Sequence, residues 1–147
     1  MDISMTHVLD LRSIFLARHA QHVVLIHFPI ALFLMGVGFD LAARRRHGTH
    51  LLTAAQVNLT AAAILIVPAY LTGLLAWRFA LAGQKIRGVL LDHLLLASAT
   101  TLLVMTTGWL RSRSRPHPVI LLVVELMGAT SMALTAHLGG FLSGVNS

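Results

Sequence analysis

Apolar residues dominate four long stretches of the chain, at roughly residues 23–42, 51–77, 88–110 and 118–140. Each stretch reaches the ~20 residues that an α-helix needs to cross a hydrocarbon core about 30 Å thick. Short polar links separate them, with the sequences ARRRHGTH, RFALAGQKIR and RSRSRPHP. Because short links join antiparallel neighbours, the pattern predicts an all-α integral membrane protein, an up-down bundle of four transmembrane helices.

The first 21 residues have a different pattern. Their apolar side chains recur at helical spacing: Val8, Leu11, Phe15 and Leu16. This spacing predicts a short N-terminal helix lying on the membrane interface. Asp2 and Asp10 interrupt the segment, which is therefore not typical of a signal peptide. We predict three parts: an interfacial segment at 1–21, a four-helix transmembrane domain at 22–142 and a tail at 143–147.

Composition supports a membrane protein and excludes several cofactor sites. The chain is 56% hydrophobic and 11% charged, whereas soluble domains are about 25% charged. It has no cysteine, which excludes disulfides, thiolate metal sites, cysteine-ligated iron–sulfur clusters and thioether-linked haem. The net charge of +6 comes from arginines that flank apolar spans. We interpret these as topology signals, and no motif indicates a nucleic-acid partner.

The arginines also predict an orientation. We call side A the side of the bundle where the first and third spans begin, and side B the opposite side. Side B receives two tight arginine clusters in short loops: Arg44, Arg45, Arg46, Arg111, Arg113 and Arg115. Such clusters in short loops are typical of the cytoplasmic side. We therefore expect side B in the cytoplasm and both termini outside.

Four histidines occupy span ends that should meet on side A: His22, His27, His93 and His137. At 1.5 Å per residue, the last three lie roughly 5–8 Å below the interface. The second span brings Trp77 and Arg78 to the same side. Because ionisable groups inside a membrane are functional candidates, we predict that these residues form a shared ligand or proton site. His22 and His27 differ by ~140° around a helix, so only one of them should face it.

Side B has a polar group of its own within the spans: Asp40, Gln56, Asn58 and Glu125. Glu125 lies inside the fourth span. It could be neutral, could bond Asn58, or could pair with a loop arginine. We expect a polar contact that joins helices of the bundle.

Several segments resemble a bacterial family of four-span predicted membrane proteins of unknown function. HVVLIHFPIALFLMGVGFDL resembles its opening, H-P-x-L-V-H-F-P-I-A-L followed by an aspartate, and TGLLAWR, DHLLLA and AHLGGFL resemble its later motifs. The chain departs from the family at Val23, Ala76 and Ala97, where relatives have proline, aspartate and asparagine. Relatives are often joined to Rieske or cytochrome c domains. The resemblance thus implies electron transfer in a bacterial cytoplasmic membrane, with a redox partner of that type.

Three functions are compatible with this pattern. The first is electron transfer through haem b, held by His27 and His93 or by His93 and His137, with Arg78 near a propionate. The second is a zinc or copper ion bound by His27, His93 and His137. The third is a cofactor-free accessory subunit, whose small residues contact a partner or a second copy. Because the chain lacks an HExxH motif, a nucleophile elbow and an evident carboxylate dyad, we expect an electron carrier rather than a hydrolase.

Overall fold

A computed structural model describes residues 11–46, 48–79, 85–113 and 117–142, with the side chains of 11–21 left out. Four helices account for nearly all of them: α1 Leu11–Arg46, α2 Thr49–Phe79, α3 Val89–Ser112 and α4 Pro118–Leu142. Each contains an apolar stretch long enough to cross a membrane. No strand occurs in these ranges. The predicted all-α fold with four membrane-spanning helices is confirmed.

The helices pack as antiparallel neighbours in chain order. α1 packs along α2, α2 along α3 and α3 along α4, while α1 touches α4 over a smaller surface. Within α1, residues 11–21 continue directly into the first span and do not form a separate helix. Residues 1–10 and 143–147 lie outside the described ranges, so the predicted interfacial segment and tail stay predictions.

The buried hydrophobic cluster of the core contains a side chain from each helix. Phe33, Leu59, Val104 and Met132 are all at most 2% exposed. Phe33 fits because α4 has a glycine opposite it: a Cβ at Gly128 would lie 2.8 Å from the ring tip. Many other large apolar side chains are exposed on the outside of the bundle. In a membrane-spanning bundle such side chains contact lipid.

Close approach of α2 and α3 depends on Gly108. A Cβ built at this position would lie 2.6 Å from the Cβ of Ala63, which has no rotamer to move away. We expect Gly108→Ala to lower the free energy of unfolding by about 1–3 kcal/mol, the usual cost of overpacking. Thermal unfolding in detergent, followed by circular dichroism, measures this.

Gly38→Ala is the matched control. A Cβ at Gly38 meets nothing within 4 Å. Since alanine favours helix over glycine, this variant should be neutral or more stable by up to about 1 kcal/mol. Equal stability of the two variants would show that α2 and α3 do not pack through Gly108.

Candidate functional site

A cavity of about 350 Å³ occupies the side A half of the bundle. Residues of all four helices line it, together with Ile86 from the connection between α2 and α3. Along α2 the lining runs from Trp77 to Ile66, which is roughly 16 Å at 1.5 Å per residue. The volume lies within the range of small-molecule sites, ~300–1,000 Å³.

Small side chains on α2, α3 and α4 create this space. Much of the lining is glycine or alanine: Ala69, Gly73 and Ala76 on α2, Ala97 on α3, and Ala136, Gly139 and Gly140 on α4. On α2 these positions recur at intervals of four and three residues, so they share one helix face. The cavity is therefore apolar, with a few polar groups among its lining residues.

His22 reaches the cavity from α1 and is held against α2. Its Nδ1 lies 3.1 Å from the Thr72 hydroxyl oxygen, and that hydroxyl donates to the Ala69 carbonyl at 2.8 Å. Because the hydroxyl proton is already used, Nδ1–H of His22 must be the donor to Thr72. The ring lies close to Gly73, where a Cβ would be 2.9 Å from its Cε1 atom. In the neutral ring, Nε2 then has the lone pair.

His93 reaches the cavity from α3 and is held against α4 in a similar way. Its Nδ1 lies 3.1 Å from the backbone carbonyl oxygen of Thr135. A carbonyl only accepts, so Nδ1 has the proton and Nε2 has the lone pair of the neutral ring. Here too a glycine gives room, since a Cβ at Gly139 would lie 3.2 Å from Cε1.

Each half of the bundle thus contributes one imidazole that is hydrogen-bonded to the neighbouring helix. The α1–α2 half holds His22 and the α3–α4 half holds His93, and both line the same cavity. In each, the Nδ1–H bond goes to the other helix of the half. Metal-ligating histidines are oriented by hydrogen bonds of this kind.

The other two predicted histidines have different surroundings. His27 is exposed, contributes to the cavity lining, and donates Nδ1–H to the Val23 carbonyl on its own helix. His137 is exposed, is not among the lining residues, and meets Phe141 edge to face at 5.0 Å. Within the described ranges, no three His, Cys, Asp or Glu side chains are grouped to hold a metal ion. The predicted zinc or copper set of His27, His93 and His137 is therefore not formed.

Hydrogen-bonded hydroxyl groups join α3 and α4 beside the cavity floor. Thr100 lies 2.7 Å from the Ser131 hydroxyl and 3.0 Å from the Thr135 hydroxyl, both oxygen to oxygen. Thr135 donates its own proton to the Ser131 carbonyl, so Thr100 donates to Thr135 and Ser131 donates to Thr100. These bonds connect the two helices next to the carbonyl that orients His93.

Predicted residues of α2 lie at the outer end of the cavity. Trp77 is half-buried and lines it, whereas the adjacent Arg78 is exposed and is not among the lining residues. Lys85 and Arg87 are also exposed, on either side of the lining residue Ile86.

Side B contains an ion-pair network that joins three helices. Arg111 of α3 donates from Nε and Nη2 to Glu125 Oε1 at 3.0 and 2.8 Å, and also to Asp40 of α1. Asp40 accepts a second bond from Arg44, one turn further along α1. The side chains of Arg111, Asp40 and Glu125 are only 6%, 3% and 0% exposed. Two carboxylates therefore balance two guanidinium groups inside the bundle.

The sequence pattern predicts a loop arginine as one possible partner for Glu125, but it does not identify Arg111 or the shared role of Asp40. The pattern places Arg111 in a loop, whereas it lies in the last turn of α3. Asn58, another predicted partner, instead donates to the Ala54 carbonyl on its own helix. One signal in the sequence could have identified this network. Asp40 and Glu125 lie near the side B ends of their spans, and Arg111 is the first arginine after the third apolar span.

The family of Predicted membrane protein (DUF2231) matches residues 18–145, which is most of the chain and includes all four spans. No curated protein and no solved structure shows a significant similarity to it. The match agrees with the motifs at the start of α1 and the end of α4. The chain belongs to this family of predicted membrane proteins.

Proposed function

We propose that this protein is a membrane-embedded electron carrier whose side A cavity would hold haem b through His22 and His93. One observation supports this most directly. Two imidazoles from opposite halves of the bundle line a single cavity, and each has Nδ1–H bonded to the neighbouring helix.

The chemistry of the lining suits a haem. Simple electron transfer needs two axial ligands on the iron, and imidazole is a common one. Helical bundles hold such groups between side chains of facing helices. The largely apolar lining would surround the macrocycle and keep water from the iron, which affects the reduction potential. This pair differs from the two pairs expected from the sequence. In both of those His93 is one member, and His22 now stands in place of the other, which was His27 or His137.

The proposal also predicts the side of the membrane on which the protein exchanges electrons. A cavity on side A, outside a bacterial cytoplasmic membrane, would exchange electrons with a partner on that side, such as a Rieske or cytochrome c domain. The arginines of side B would then lie in the cytoplasm. With haem as the reactive group, the protein carries electrons and catalyses no hydrolysis.

An absorption spectrum of the detergent-purified protein tests the proposal. In material from cells supplied with haem, we expect a reduced-minus-oxidised spectrum with the Soret and α bands of a low-spin, bis-histidine haem. Iron should be present in proportion to protein in the same sample. A colourless preparation without haem bands would contradict the proposal. If the protein nevertheless assembles normally, that result would favour a cofactor-free accessory subunit.

A further inference from the structure

We propose that the cavity takes its ligand with an anionic end at the side A mouth, beside Arg78, Lys85 and Arg87. This inference rests on the proposed function, because it identifies that end as the propionates of the haem. It concerns the direction of the ligand and the residues that recognise it, and not the iron ligands.

Each of the three cations adjoins a residue of the cavity wall. Arg78 follows Trp77, and Lys85 and Arg87 are on either side of Ile86; both Trp77 and Ile86 line the cavity. The cations themselves are exposed. They are therefore at the solvent end of the wall, while the apolar lining continues inward.

Gly88 determines the backbone conformation at the point where residues 85–88 join α3. Gly88 has φ +54°, a left-handed conformation that residues with a Cβ rarely adopt. Its carbonyl accepts the first helical hydrogen bond of α3 from the amide of Asp92 at 3.1 Å. The chain direction changes at Gly88, so the segment before it does not extend the helix, and Ile86 of this segment lines the cavity.

Charge at the mouth is unbalanced. Among the described residues, Asp92 is the one carboxylic acid on side A, and it is exposed. The other two, Asp40 and Glu125, belong to the network on side B. Every ion pair in the described ranges lies in that network, so none involves Arg78, Lys85 or Arg87. Three cations against one carboxylate favour an anion at this position.

An apolar cavity lining with cations at its mouth suits a ligand that is an amphipathic acid, apolar along most of its surface and anionic at one end. A neutral apolar ligand would need only the walls. Haem b has both features, because its macrocycle is apolar and its two propionates lie on one edge. Guanidinium groups bind carboxylates through charge-assisted, often paired hydrogen bonds. Lipid phosphates are a second source of anions at this depth, since long cationic side chains reach the headgroups.

Titration of haem-free protein with haemin and with haemin dimethyl ester separates these possibilities. The ester keeps the iron and the macrocycle but lacks the acidic groups. In nanodiscs of phosphatidylcholine, we expect haemin to bind more tightly than its ester. The double variant Lys85→Gln, Arg87→Gln should weaken haemin binding about three- to tenfold, the effect of exposed ion pairs, and leave ester binding unchanged.

The double variant Arg45→Gln, Arg46→Gln is the control, because it removes the same charge from exposed side chains on side B. It should bind both compounds as the unaltered protein does. Equal affinities for haemin and ester in all three proteins would overturn the inference while leaving the haem proposal intact. If neither compound gives a bis-histidine spectrum, the proposed function is overturned instead. In a second set of nanodiscs that contain phosphatidylglycerol, weaker retention of that lipid by the Lys85, Arg87 variant, with haemin affinity unchanged, would assign the cations to lipid and also overturn the inference.

Discussion

Replacing Arg111 with methionine should lower the free energy of unfolding by about 3–5 kcal/mol, the usual cost of removing one partner from a buried ion pair. Arg111 is the only contact between Glu125 and a cation among the described residues, and it also bonds Asp40. Without it, Glu125 would be left as a buried carboxylate with no hydrogen-bonded cation. Unfolding in mixed detergent micelles, followed by circular dichroism, measures the change.

Arg113→Met provides the control for that experiment. Arg113 is exposed, and its guanidinium lies 4.0 Å above the ring of Trp109. An exposed contact of this kind contributes about 0.5–1 kcal/mol, so the control should lose far less stability than the Arg111 variant.

A combined variant shows whether the loss comes from unpaired charge. Adding Asp40→Leu and Glu125→Met to Arg111→Met removes the carboxylates along with their partner. Replacing a whole buried ion pair by hydrophobic residues of similar volume is often close to neutral, so this variant should recover much of the lost stability. If it is less stable than Arg111→Met alone, the carboxylates stabilise the bundle without the arginine, and the account of the network given above is wrong.

Loss of the Thr72 hydroxyl should weaken haem binding by about 10- to 100-fold, the range seen when the hydrogen-bond partner of a metal ligand is removed. Thr72→Val keeps the shape of the side chain but leaves Nδ1–H of His22 without this acceptor. Thr72→Ser keeps the hydroxyl and should retain most of the affinity. Haemin titration of the two variants measures the difference.

Substitution of the histidines themselves separates ligands from neighbours. We expect His22→Ala and His93→Ala each to replace the low-spin spectrum by that of a haem with one histidine ligand, or to lose the haem. His137→Ala should keep the spectrum, because His137 is exposed and packs on Phe141. Retention of an unchanged bis-histidine spectrum in His22→Ala would exclude His22 as a ligand. If Thr72→Val and Thr72→Ser bind haemin equally well while the histidine variants behave as expected, only the positioning role of the Thr72 hydroxyl is excluded.

The pattern along the chain was sufficient for the architecture. The length of each apolar run identifies a span, and short links require antiparallel neighbours. These two facts place the ends of all spans on one side or the other. They therefore predicted that His22, His93 and Trp77 would approach the same end of the bundle, and the structure brings these three residues to one cavity.

The direction of each side chain around its helix could not be obtained in this way. A membrane helix is apolar on nearly every face, so its sequence has no polar stripe that marks the outside. This is why the sequence left His22 and His27 as equal alternatives. Both histidines line the cavity, and packing gave them different partners: Thr72 and Gly73 on α2 accept and accommodate the ring of His22, whereas His27 bonds its own helix.

The sequence by itself thus determined four crossings, their alternating directions and the end of the bundle to which each histidine belongs, because these depend only on distance along the chain. Tertiary structure alone decided that His22 and His93 share a cavity, that His137 lies outside its lining, and that Arg111 is buried between Asp40 and Glu125. These outcomes depend on the rotation of each helix about its axis. That rotation follows from the close approach of small residues such as Gly108 and Gly128 to a neighbouring helix.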